Sequence, residues 1–310
     1  MDENASIIVS GAMIAASNTA CTLIEKISEA TGGLFAPYLI RRKALAEADA
    51  ARSMAAAERE IKTEGAINMA ETEEKINYIR YRASIRHAGE EVKKQANMES
   101  ILAQAIPEIN DGARCETLDD DWIVNFFDKC RTTSSKEMQA LWAKVLAGEA
   151  NSPGHYSKRT VNVLQSLEVR DAELFSALCR FIWTVGGRTI PLIFETKPKG
   201  TIYAEHGINF EKLNSLADIG LINLNILAGY SIIPWKEFLD TDYMGREYQI
   251  GLLLLDKQEV RVGNAMLTQI GKELASVVQV GPVEGLWEYV IEQWQQGRAA
   301  TGVPETVKSA

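Results

Sequence analysis

The stretch Glu137–Val161, EMQALWAKVLAGEANSPGHYSKRTV, decides how the middle of the chain is built. Met138, Leu141, Trp142, Val145 and Leu146 recur at spacings of three and four, which places them on one face of an amphipathic helix. A capping box from Ser134 to Glu137 starts that helix, and Gly148 is expected to end it as a left-handed cap. Pro153-Gly154 turns the chain, and Ser157 caps a second helix carrying Val161, Val163, Leu164 and Leu167. One chemical alternative remains. His155, Ser157, Lys158 and Arg159 gather at a helix start, where free backbone N–H groups attract anions. A carboxylate across the turn, Glu149, would satisfy the same cations and is the preferred partner. The stretch reads as a hinge between packed helices.

Outward from this hinge the pattern stays helical on both sides. Asp119, Asp120 and Asp121 open a helix that carries Trp122, Ile123, Phe126 and Phe127. Three adjacent aspartates could hold a metal ion, but carboxylates in a first turn are expected there from the helix dipole. Asp171 is expected to cap another helix with Leu174, Phe175, Leu178, Phe181 and Ile182 inside. A helical domain over 107–188 follows.

Before it, residues 38–106 are rich in Ala, Glu, Arg, Lys, Met and Ile, and hold no proline until the end of the segment. That composition predicts one long helix or a helical pair, with Gly65 and Gly89 as bend points. Its apolar seam runs through Met54, Ile61, Met69, Ile76, Ile79, Ile85 and Val92, with Tyr78 in step with Ile85 and Val92. A rod of this kind needs partners along its length, so a homo-oligomer is expected.

The first segment, residues 1–37, has no charged residue between Glu3 and Glu25. It reads as an apolar helix whose small residues Gly11, Ala12, Ala15, Ala16 and Ala20 form a close-packing face, in an oligomer core or at a membrane. The basic run Arg41-Arg42-Lys43 stands where headgroups would be. The acidic start MDENAS lacks the basic region of a signal peptide, and four widely spaced cysteines read as reduced thiols. A cytoplasmic protein is expected, either free, peripheral to the inner membrane or inserted in it.

From Thr189 the composition turns to short apolar runs and turn residues. A helix with a Gly-Leu-Ile exit, a strand pair and an LTxxGxxL helix (Leu267 to Leu274) resemble a winged helix over 189–297. Its reading helix, Phe210 to Ile219, offers Lys212 as the only basic residue, beside Glu211 and Asp218. A protein partner suits it better than nucleic acid. Residues 298–310 read as a tail.

Chemistry is sparse. Histidines number three, none at metal-ligand spacing, and neither a phosphate loop nor a nucleophile elbow is present. Glu195 and Lys197, directly after an apolar run, have the E-x-K form of a metal-dependent nuclease, but the acidic residue that core needs on a preceding strand is missing. No cofactor, metal or catalytic set is expected. The formal charge of −9 disfavours phosphate backbones unless a basic patch stands apart.

DDDWIVNFFDKC, the hinge stretch and DAELFSALCRFIW together resemble an uncharacterised bacterial helical family with an LWAxxLAGE…PG…SxRT block. More distantly, GGLFAPYLIRR followed by a helical body is similar to the abortive-infection alpha proteins. That similarity implies a role in antiviral defence and no mechanism. The expected fold is mainly α: a long N-terminal helix, a helical middle domain and a small α+β winged-helix-like end. The expected function is a non-enzymatic oligomeric defence or stress effector or scaffold with possible membrane action. The alternatives are a winged-helix DNA-associated regulator and a metal-dependent nuclease.

Overall fold

The computed structural model describes residues 6–9, 12–15, 18–34, 70–197, 199–233, 238–251 and 259–299. The molecule is mainly helical with small antiparallel sheets. Packing divides it into two compact units, Met1–Val161 and Asn162–Ala310. The division falls inside the region 107–188 that the sequence presents as one helical domain.

The first unit opens with β1 (Ser6–Val9) and β2 (Ala12–Ala15), paired antiparallel with Ser6 opposite Ala15 and Val9 opposite Ala12. This corrects the single apolar helix expected over 1–37. Ile7, Ile8, Val9 and Ile14 are β-branched and favour a pleated ribbon. The helix α1 (Asn18–Ala30) begins only afterwards, and it buries Ala20, Leu23, Ile24 and Ile27. Among the described residues no helix is long and apolar enough to cross a membrane.

The next element, α2 (Ala70–Ala105), runs unbroken through Gly89. Met98, Ile101, Leu102 and Ala105 are buried at its C-terminal end. There α2 packs against α4 (Lys136–Asn151), which follows α3 (Asp120–Cys130). A polar strap fixes the crossing. Buried Gln139 donates to Asn97 Oδ1 (3.2 Å) and to the Thr133 carbonyl (2.9 Å), Ser100 Oγ donates to Gln139 Oε1 (2.8 Å), and Asn97 donates to the Arg131 carbonyl (3.0 Å). Beneath it Trp122, Phe126 and Trp142 pack ring to ring.

Helix starts follow cap chemistry, in places one residue from where the pattern points. Asp119 Oδ1 accepts from Trp122 N at 2.7 Å, and Ser135, rather than Ser134, caps α4 by accepting from Met138 N. Gly148 does not end α4. The helix continues to Asn151 because the glycine has another use: a Cβ there would stand 2.8 Å from the Tyr156 ring. The helix α5 (Lys158–Ser166) begins after Ser157, whose Oγ accepts from Thr160 N.

In the second unit α6 (Val169–Cys179) starts at Glu168, with Asp171 as the far member of a capping box rather than the cap itself. It stops at Cys179. Ile182, expected in the helix, opens β3 (Ile182–Val185), which turns through Gly186-Gly187 into β4 (Arg188–Pro191). Both glycines have positive φ (56° and 75°), the requirement of a two-residue hairpin whose twist matches its strands. Trp183 and Val185 point inward on this hairpin and are buried.

After α7 (Ile202–Glu205) and α8 (Phe210–Asp218) the chain exits through Gly220, φ 87°, into β5 (Ile222–Leu224). Then come β6 (Tyr230–Ile232), β7 (Phe238–Tyr243), β8 (Arg246–Gly251), β9 (Val260–Gly263) and β10 (Ala265–Leu267). Strand order β4-β3-β7-β8 makes one antiparallel sheet; β5 with β10 and β6 with β9 make two ribbons. The helices α9 (Gln269–Ala275) and α10 (Leu286–Ala299) close the unit.

The LTxxGxxL motif has a physical explanation here. Thr268 Oγ1 donates to the Gly220 carbonyl (2.7 Å) and accepts from Gly271 N (3.0 Å), so one hydroxyl joins the α8 exit to the α9 start. Gly271 lies so close to the Leu221 backbone that any Cβ would collide with its carbonyl oxygen. Gly263 similarly accommodates Ile193, and Asn264 N donates to the Ile193 carbonyl at 2.7 Å.

Candidate interaction surface on the long helix

The hinge turn is held by its own residues. Glu149, 1% exposed, accepts from Gly154 N (2.7 Å) and Tyr156 N (2.8 Å), so the turn is tied by a buried carboxylate. Lys158 does not reach Glu149 as expected; its Nζ stands 3.2 Å from Asp121 and 3.7 Å from Asp119. Backbone donors captured Glu149 because they lie nearest to it in the tight turn. His155 sits edge-on to Tyr156 at 4.5 Å, and Arg159 is exposed. The four residues of the candidate anion site share the turn, with Lys158 and Ser157 already engaged.

The aspartate run is engaged too. Lys26 pairs with Asp120 at 2.6 Å, and this hydrogen bond, opposed by burial, raises the lysine's pKa above its ordinary value. Among the described residues no three His, Cys, Asp or Glu side chains gather as metal ligands would. In the second unit Glu195 pairs with its neighbour Lys197 at 3.1 Å and accepts from Tyr289 Oη at 3.3 Å. Burial, then the Glu195 charge, pushes the Tyr289 hydroxyl up to about 12. Cys130 and Cys179 are buried thiols whose pKa is raised by desolvation, to about 12 for Cys179, which makes them poor nucleophiles.

Of the close-packing face expected near the N-terminus, Gly11 and Ala16 lie outside the described residues. Ala12 and Ala15 belong to β2, and Ala20 is buried in α1. They do not form one helical stripe, because strand and helix place them at different periods.

What stands open is the N-terminal half of α2. Every residue from Lys75 to Gly89 is exposed. Met54, Ile61 and Met69 of the expected seam lie outside the described residues, while Ile76 (43% exposed), Ile79 (64%), Ile85 (47%) and Val92 (70%) are all at the surface. They fall on two sides of the helix. Tyr78, Ile85 and Val92 are seven apart, with Tyr81 and Ala88 between them, which is a heptad seam. Ile79 instead lines up with Asn97, and Ala83 with Ile101, each eighteen residues or five turns onward, on the face that is covered farther along.

This half is also basic. From Lys75 to Gly89 there are Lys75, Arg80, Arg82 and Arg86 and no Asp or Glu, so its formal charge is 4 − 0 = +4 in a chain of −9. Arg82 lies over the Tyr78 ring at 5.7 Å, and Arg86 meets Glu90 at 2.9 Å in a pair open to water. The heptad half of this surface was legible from the sequence. The acid-free basic stretch was equally visible there, but the acidic net charge masks it.

The chain belongs to a known family. The family model that matches residues 81–290 is described as Protein of unknown function (DUF2806). The match covers about half of the first unit and most of the second, and begins within the exposed half of α2. No curated protein and no solved structure matches the chain.

Proposed function

We propose that the protein is a non-enzymatic, homo-oligomeric scaffold or effector of the defence or stress type, assembled through the exposed half of α2. One observation carries this reading. A helical stretch of fifteen residues, exposed on all sides, carries Ile76, Tyr78, Ile79, Tyr81 and Ile85. Isolated helices of that length are marginal in water, and among the described residues its side chains stay uncovered, so packing by another copy would stabilise it. The heptad seam Tyr78, Tyr81, Ile85, Ala88 and Val92 is the natural contact, read as parallel or antiparallel helix pairing between copies.

The second unit is read as a winged-helix-like partner module. In its support, α7 and α8 lead into β5, which pairs with β10 as the arms of a wing, and Thr268 locks the exit of α8 to α9. Its outward residues suit a protein. On α8 Lys212 stands beside Glu211, while Asn214 is drawn to Asp218 at 3.1 Å. A groove of about 670 Å³ lined by Tyr243, Arg246, Trp287 and Glu288 adds mixed charge and aromatic surface.

Multi-angle light scattering at micromolar concentration tests the assembly. The expected mass is a multiple of 34.3 kDa. The pair Tyr81→Asp and Ile85→Asp should return it to a single copy with the circular dichroism of a folded protein. A single-copy mass for the unaltered chain overturns the reading.

A further inference from the structure

We propose that the exposed half of α2 docks into the major groove of duplex DNA, through a face distinct from the heptad seam. Lys75, Arg82, Arg86 and Lys93 are separated by seven, four and seven residues and so share one side of a 3.6-residue helix. Arg80 and His87, seven apart, lie on another side. Between these two cationic flanks stand Ile76, Ile79 and Ala83, side chains that a groove floor with thymine methyl groups accommodates. All of the residues from Lys75 to Ala83, with Arg86, His87 and Lys93, are exposed, and Lys75, Arg80, Arg82 and Lys93 form no ion pair with a described carboxylate. Only Arg86 does, with Glu90, and a surface pair of this kind exchanges readily for a phosphate.

Charge and shape narrow the occupant. From Lys75 to Lys93 the formal charge is 5 − 2 = +3 within an acidic chain, with Glu90 and Glu91 near its end, so its attraction for a polyanion is local and sets the docking position. A helix of about 10–12 Å with its side chains fits the major groove of B-form DNA, whereas the deep, narrow groove of A-form RNA excludes it. A bilayer surface fits less well. An interfacial helix presents one continuous apolar half, whereas here the Lys75–Lys93 cation stripe runs between the two apolar sides. Tyr78 lies under Arg82 and helps hold that guanidinium outward. The seam Tyr78, Tyr81, Ile85 and Val92 remains free for a second copy, so assembly and docking can be separated by experiment.

Fluorescence anisotropy of a labelled 20-bp duplex with the full chain, at 50 and 200 mM KCl, is the test. Saturable binding is expected, weakening about a hundredfold between the two salts if about four phosphates are neutralised per site. Arg82→Glu with Arg86→Glu should abolish it while the mass by light scattering is unchanged, Arg82→Lys with Arg86→Lys should retain it, and Lys158→Ala should leave it as it was. Should the reversal variant misfold by circular dichroism, Lys75→Gln with Lys93→Gln replaces it and should lower the salt slope by about two. The proposal is overturned by any of three results: a folded protein that does not bind at 50 mM KCl, undiminished binding by the folded charge variants, or sedimentation with phosphatidylserine vesicles without DNA binding.

Discussion

The two halves of α2 are one helix with two fates. Toward Ala105, Met98, Ile101 and Leu102 are 5%, 0% and 0% exposed, and Gln139, Asn97 and Ser100 tie the helix to α4. Toward Ala70, Ile79 on the same face is 64% exposed, and no such strap is present among the described residues. Helical periodicity runs through both halves, so it cannot say which of them is covered. Burial is a property of what stands opposite. The covered half contributes to folding of its own chain, and the open half is the one proposed to associate.

That contrast can be broken most sharply in the core beneath the covered half. Trp142→Ala should destabilise the first unit by roughly 3–5 kcal/mol, since the ring is fully buried against Phe126. Chemical denaturation with a tryptophan or circular-dichroism readout would measure it. Ile101→Ala should cost roughly 2–5 kcal/mol in the same assay, whereas Ile79→Ala, on the same face, should stay within about 0.5 kcal/mol under conditions where the chain is a single copy. Equal losses at the two positions would mean that the halves do not differ as described.

The hinge supplies an intermediate test. Glu149→Gln keeps the shape of the side chain but weakens a buried acceptor of two backbone N–H groups, and a loss of roughly 1–3 kcal/mol is expected. Lys158→Ala, which removes only exposed pairs with Asp119 and Asp121, should cost less than about 1 kcal/mol. If Lys158→Ala proves the more damaging of the two, the turn is held from outside and not by its buried carboxylate.

The smallest effect concerns His206 in the second unit. Burial first, then the Arg180 charge, holds its pKa below the ordinary 6.5. The unfolded chain therefore binds the proton more readily than the folded one, so stability rises with pH in this window. Stability should decline as pH falls through about 6.5 and below, and His206→Gln should flatten that decline. A pH series of denaturation midpoints would detect it; an unchanged slope in the variant would place the titrating group elsewhere.

Much of the helical architecture could be read residue by residue. Asp119, Ser157 and Thr268 are caps because their side-chain oxygens reach backbone donors three residues on, an interaction local enough to be written in the sequence. Positions were misread where the decisive partner is distant. Gly148 resembles a helix terminator but makes room for Tyr156, and Ser134 yields to Ser135 as the cap. Ile182 follows a helical pattern yet belongs to a strand, because the positive φ of Gly186 and Gly187 folds a hairpin back onto it. The uncharged start reads as a helix by composition, and its β-branched residues pair instead as β1 and β2.

By itself the sequence determined the helix starts at Asp119, Ser157 and Thr268, the heptad seam from Tyr78 to Val92 and the acid-free run from Lys75 to Gly89. Each depends on near neighbours and on the 3.6-residue period alone. Only the tertiary structure decided that Met98 and Ile101 are covered while Ile79 and Ile85 are open, that Glu149 serves two amides instead of Lys158, and that Gly271 must be glycine against Leu221. The reason is physical. Burial, close approach and the choice among competing donors depend on groups brought together across the fold, and their separation along the chain carries no trace of it.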